Sequence, residues 1–440
     1  SALGLDGKTT TALISATILA SGLATIIQAR GVGKIGSRVA CIMGTDFTFV
    51  SPSISVGTVL GLPGIIGATI LGAFLEIILS FFIKPLMKLF PPLVTGTVVC
   101  LIGLTLLPVA AMATSIQGIG ENYQDWDLVC DNTGTCRMAG YQEKGDDPVS
   151  ILFTRAAGEN AAVEGKFTIL PFGETDRDVQ VGQDIEIWLN GKSLGTVKHI
   201  SDDAPDKLTE EQTKALLSGL KKESEIRLTY GKTTLKVSDK GAAAAMLKMD
   251  EFQQRLNTPS ALIRQGQEKH AVLAPKVKPK IDAVSVNNRK TIELKLGEKQ
   301  YDNVLALLRK AYNGCKDEDE VSQDITLYPL TQNKVLAEVL CVRGAYQRTN
   351  YYAVLDDKLS KVEQILAGLY NEAGYDEKQG YAFVRGTYKG RGVGDCWSSQ
   401  DAVWNGKIFI RTSEWTTGSC KGFPGGAWQL PTFVSDIIVK

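Results

Sequence analysis

The sequence predicts a molecule in two parts: a membrane all-α fragment of about four spans, one of them broken by a short strand, followed by a soluble α+β domain with two disulfide-bonded lobes. Three observations carry this reading. Charge is segregated, since residues 1–118 hold only Asp6, Asp46 and Glu76 as acids and Lys8, Arg30, Lys34, Arg38, Lys84 and Lys88 as bases. Long apolar runs are confined to the same stretch. Six of the eight cysteines lie beyond it. The expected domains are therefore 1–118, a first lobe at 119–270 and a second at 271–440.

The apolar runs at residues 9–29, 64–83 and 94–113 are each long enough to cross a bilayer, which takes about 20 helical residues. Residues 39–61 are apolar enough to span but are interrupted by GTDFTFVSP, residues 44–52. There Thr45, Phe47 and Phe49 alternate as in a strand, and Ser51-Pro52 suits the start of a half-helix. Irregular backbone at membrane depth survives only where protein or a watery cavity satisfies its amides, which makes this stretch a candidate binding site. Loop charge places Arg30, Lys34, Arg38, Lys84 and Lys88 on the cytoplasmic side, so four crossings deliver the chain after Ala113 to the outside. Glu76 is the acid in the middle of a span, either functional or facing an interface. Ala111-Met112-Ala113 follows an apolar run as a signal peptidase site would, and cleavage there would release a domain starting at Thr114.

QARGVGKIGSR, MGTDFTFVSP, LPGIIGA and FPPLVTGTVVCLIGLTLLPV together resemble the second to fifth membrane segments of the nucleobase-ascorbate transporters, the nucleobase:cation symporter-2 family, on the side of its xanthine, urate and uracil permeases. The resemblance covers about a quarter of the chain, roughly residues 8–110. It implies an inverted-repeat fold in which Phe49 offers its backbone amide and ring to a purine, with Thr48 and Phe47 beside it. It also implies a nucleobase as ligand, a lipid bilayer as surroundings and a proton as coupling ion, with no other cofactor. No segment before residue 8 supplies the family's first helix and none later supplies its eighth or tenth, so the expectation is a permease fragment that does not transport alone.

Beyond residue 118 the texture is that of a secreted chain. WDLVC, FTILPF, IEIWLNGKSLGTV and EIRLTYGKTTLKVS read as strands, with Asn-Gly and Tyr-Gly supplying turns. KLTEEQTKALLSGL and GAAAAMLKMDEFQQRLN read as helices, and the lysine- and proline-bearing 269–283 as a linker or crossing strand. The second lobe is expected to contain helices YDNVLALLRKAY and KLSKVEQILAGLYNEAG and strands VLAEVLCVRG, YYAVL and KIFIRT.

Cys130, Cys136, Cys315, Cys341, Cys396 and Cys420 suit a disulfide set in an oxidising compartment, here the bacterial periplasm facing the inner membrane. Proximity pairs Cys130 with Cys136, Cys315 with Cys341 and Cys396 with Cys420. Zinc is the rival, disfavoured because CxxC pairs are missing and only His199 and His270 exist. Cys41 and Cys100 read as small buried hydrophobes. Balanced charge, 48 basic against 48 acidic residues, gives no footprint for nucleic acid.

No catalytic constellation stands out, so an enzyme is not expected and no metal site is expected. His199 and His270 read as surface histidines. KGRGVGDCW, with Gly390, Gly392 and Gly394, lacks the order of a phosphate loop. Trp397, Trp404, Trp415, Phe423 and Trp428 form either an aromatic binding surface or the core of a disulfide loop, the latter favoured. DWDLVCDNTGTCRMAGY and WNGKIFIRTSEWTTGSCKGFPGGAWQLPTFVS resemble the periplasmic family called domain of unknown function 1176, and the first lobe is more loosely similar to invasion-associated locus B proteins. Neither resemblance implies a mechanism. Two functions compete: a truncated nucleobase permease carrying a periplasmic domain, or a periplasmic binding or structural module that uses the permease segment as anchor or export signal, with an unknown ligand or protein partner.

Overall fold

Alternation of apolar and polar residues dominates the described chain, and sheets follow from it. The computed structural model describes residues 7–31, 64–74, 116–170, 178–311, 325–344, 347–366 and 368–440. Two compact units result, Ser1–Ser115 and Ile116–Lys440. In the first, helix α1 spans Gly7–Arg30 and residues 64–74 are helical. The expected four-span all-α membrane fragment is overturned. Among the described residues no helix is long and apolar enough to cross a membrane. The described helix at 64–74 rises about 16 Å, roughly half the thickness of a hydrocarbon core.

The second unit is mostly β rather than an even α+β mixture. Strands β1 (Ile119–Tyr123), β2 (Trp126–Cys130), β3 (Cys136–Tyr141), β4 (Val149–Arg155), β5 (Val163–Ile169) and β8 (Asp206–Lys207) form one antiparallel sheet in the order β1-β2-β3-β4-β5-β8. Strands β6 (Asp184–Leu189), β7 (Lys192–Lys198), β9 (Ile226–Tyr230) and β10 (Thr233–Val237) form a second sheet, ordered β10-β9-β6-β7. β6 and β7 are joined by Asn190-Gly191, both at positive φ (51° and 77°), as a tight two-residue hairpin requires.

Helices α2 (Glu210–Gly219) and α3 (Ala242–Phe252) complete this region. α2 starts where Thr209 and Gln212 cap each other: the Gln212 amide donates to Thr209 Oγ1 and the Thr209 amide to Gln212 Oε1. The core closes around Trp126, which is fully buried, lies 6.0 Å from Phe153 with rings parallel, and donates from Nε1 to Ser238 O. Gly140 is what lets it fit, because a Cβ there would come within 2.3 Å of the indole.

The remaining chain forms two meanders. β12 (Ile292–Leu294), β13 (Ile325–Pro329), β14 (Lys334–Arg343), β15 (Arg348–Asp356) and β16 (Val362–Ile365) make one sheet, and β17 (Glu372–Tyr375), β18 (Ala382–Lys389), β19 (Trp397–Trp404), β20 (Phe409–Thr416) and β21 (Leu430–Phe433) another. Leu336, Val354, Val384 and Trp404 share the apolar core between them. Helix α4 (Lys299–Ala311) covers the other face of the first meander through Tyr301, Val304 and Leu308. The expected helix at 358–374 is instead β16, a crossing and β17. Its half-buried Val362 and exposed Ile365, and Gly368 at φ 148°, suit an edge strand and a turn. The stretch 269–283, read as a linker or crossing strand, ends in β11 (Lys280–Ala283), which pairs in parallel with β22 (Asp436–Val439).

Candidate functional site

The polar cluster of interest grows out of an apolar strand. In β14 the run VLAEVL alternates faces, and Glu338 falls on the face that packs toward the second meander. Its cross-strand partners are Thr326 on β13 and Tyr352 on β15, while Leu340 pairs with Asn350. Tyr328, two residues beyond Thr326, is within side-chain reach on the same face. Where the chain crosses between sheets, the Asn350 amide donates to Tyr370 O at 2.8 Å and pins the sandwich at this end. A cavity of about 260 Å³ remains, lined by Glu338, Tyr328, Arg348, Asn350, Asn371 and Glu372 among others.

Every donor to the Glu338 carboxylate is neutral. Tyr328 Oη donates at 2.6 Å, Tyr352 Oη at 3.0 Å, and Asn350 Nδ2 also donates. Tyr352 and Asn350 are buried, which fixes two of the three donors. Burial, and then the nearby carboxylate, push the Tyr352 phenol far above its ordinary pKa, and burial with the Glu338 hydrogen bond does the same to Tyr328. Both phenols stay protonated and remain donors at any physiological pH. Tyr375, 6.2 Å from the Tyr328 ring, donates to Pro329 O and is pushed up to about 12 by burial. A carboxylate offers about four acceptor positions, so three donors leave room for one more partner. The arrangement is that of a preorganised acceptor at a cavity wall, suited to binding.

The residues singled out from sequence fall elsewhere. Phe47, Thr48, Phe49, Glu76, Asp46, Cys41, Cys100, Cys315 and the Ala113-Thr114 junction lie outside the described residues. Cys130 is bonded to Cys136 and Cys396 to Cys420, and Cys341 is disulfide-bonded. Asp395, Cys396 and Cys420 converge closely enough to suggest a metal, but both sulfurs are spent on their disulfide. His270 is exposed beside Glu268. His199 is not a surface residue: it is 7% exposed, with Nδ1 2.7 Å from Asp206 Oδ2 and Nε2 3.0 Å from Asp202 Oδ1.

The aromatic set divides. Trp404 sits in the core between the meanders, and Phe423 and Trp428 are buried against Tyr141 and Leu152 of the first sheet. Trp397 lies under Lys389, and Trp415 lines a separate shallow cavity of about 410 Å³ with Tyr388, Gln400 and Glu414. Sequence reasoning missed Glu338 and its donors. The available signal was an acid at the centre of an otherwise apolar strand, followed one strand later by Asn350 and Tyr352.

Comparison with known proteins bears on both parts of the chain. The model of a family described as protein of unknown function (DUF1176) matches residues 120–435. This chain belongs to the DUF1176 family. Its match contains every residue of the Glu338 cavity. A second model, described as a permease family, matches residues 1–131 of this DUF1176 protein. Both resemblances carried by the motifs are thereby confirmed. Over 108 residues the chain is 84% identical to a putative purine permease of Clostridium perfringens, covering 24% of each protein. Over 109 residues it is 40% identical to a xanthine permease of Bacillus subtilis, covering 25% of each. The chain thus spans about a quarter of the length of the curated relatives it matches. Among solved structures, invasion associated protein b from Bartonella henselae aligns with 31% of this chain and 99% of its own at 19% identity and a TM-score of 0.23, a value that carries no argument about fold.

Proposed function

We propose that this DUF1176 chain acts as a ligand-binding module of an oxidising, extracytoplasmic compartment, with its site in the cavity at Glu338. The observation that carries the reading is a carboxylate held by three neutral donors at the wall of a cavity between two sheets. Building such a site has a cost, because a partly buried charge without a countercharge is unfavourable, and binding a complementary group offsets it. Placement outside the cytoplasm is supported by the disulfides, which persist where thiols are not kept reduced. A thermal-shift screen of the full chain against a small-molecule library tests the binding reading. It expects stabilising hits that vanish in Glu338→Gln; hits of equal size in that variant would refute the site.

A second reading concerns the permease-like segment, on the strength of its 84% identity to a putative purine permease. Here Phe49, with Thr48 and Phe47, would contact a nucleobase. Equilibrium binding of radiolabelled xanthine by the full chain in detergent is the test. Saturable binding abolished by Phe49→Ala supports it, and binding indifferent to that change removes it.

A further inference from the structure

Two opposite charges line the Glu338 cavity without being spent on each other. Among the described residues the Glu338 carboxylate makes no ion pair, and the exposed Arg348 side chain makes neither an ion pair nor a hydrogen bond. The other acid at the rim, Glu372, lies 3.8 Å from Arg385 and so already has a cation. Arg348 is four positions along β15 from Tyr352, the cross-strand partner of Glu338, which separates the two backbones by about 13 Å. Both side chains line the same cavity, and backbones that far apart leave between the two charges the span of a small molecule.

We infer that the cavity takes a small zwitterion of amino-acid to dipeptide size, its ammonium on Glu338 and its carboxylate on the Arg348 guanidinium. This rests on the binding reading above and narrows it. The ammonium takes the acceptor position that Tyr328, Tyr352 and Asn350 leave open on Glu338. The carboxylate accepts the paired donors of Arg348. Asn371, itself held with its amide donating to Thr387 O and its carbonyl accepting the Thr387 amide, sets the far wall. The volume of about 260 Å³ suits such a ligand.

Isothermal titration of the full chain with L-alanine, L-alanyl-L-alanine, ethylamine and acetate tests the inference. Binding of one or both zwitterions is expected, with ethylamine and acetate each weaker by about 10-fold or more, since hydrogen bonds to charged groups are worth that much. Arg348→Met and Glu338→Gln should each weaken the zwitterion by about 10- to 100-fold. Arg348 is exposed, so its variant keeps the test available should Glu338→Gln misfold. Ethylamine or a neutral compound binding as tightly as the zwitterions, with Arg348→Met silent and Glu338→Gln damaging, would overturn the zwitterion while leaving a binding module. No heat from any probe and no Glu338-dependent hit in the library screen would overturn both.

Discussion

Trp428 Nε1 donates to Ser150 Oγ at 2.7 Å across 278 positions of sequence. Ser150 passes the bond on to Gly140 O, beneath which Trp126 is packed. The segment after β20 is thereby stitched to the first sheet, with Asn132 exchanging two hydrogen bonds with Val434, and Gln142 Nε2 donating to Lys421 O. Trp428→Ala should cost about 3–5 kcal/mol, as expected for emptying a buried Trp site, and should leave urea unfolding as a lowered single transition.

The bond between Cys396 and Cys420 closes a loop that positions this same segment. The double change to serine should destabilise by about 3 kcal/mol from lost chain constraint, read as a shifted denaturation midpoint. Mass analysis after alkylation of the native chain should find Cys130, Cys136, Cys341, Cys396 and Cys420 blocked.

A buried charge cluster ties residues 250–263 to the sheet. Asp250 Oδ2 accepts the Leu262 and Ile263 amides, while its other oxygen lies 3.6 Å from Arg155, and Arg255 is fully buried nearby. Burial and then the Arg255 charge lower Arg155 to about 10. Asp250→Ala would leave two buried guanidiniums without their anion, so a loss of about 3–5 kcal/mol is expected in equilibrium denaturation.

His199 gives a pH dependence with a definite sign. Burial works against the imidazolium, but the hydrogen bonds and charges of Asp206 and Asp202 prevail and raise its pKa in the fold. Its contribution is fully present below the unfolded value, about 6.5, and is lost as pH rises through the higher folded value. The stability gap between the wild type and His199→Gln should therefore be largest in mild acid and shrink toward alkaline pH, as followed by urea midpoints.

Local patterns were legible in the sequence where local physics decides. The helix in KLTEEQTKALLSGL, the Asn190-Gly191 hairpin and the amphipathic run of α4 could all be read directly. The segment at 358–374 could not, because Leu, Glu and Ala favour helix while its neighbours in the sheet draw Val362 to Ile365 into β16. Glu338 stayed hidden for a related reason. Its donors come from two other strands, 10, 12 and 14 residues away, and only strand register brings them together. His199 was misjudged likewise, since its burial depends on Asp206 arriving on a strand of another sheet.

Native mass spectrometry of the full chain purified without refolding tests the central claim most directly. A binding module built around Glu338 should carry a small copurifying molecule in the wild type that is missing from Glu338→Gln. Identical spectra, with the same bound mass or the same bare chain in both proteins, would contradict it.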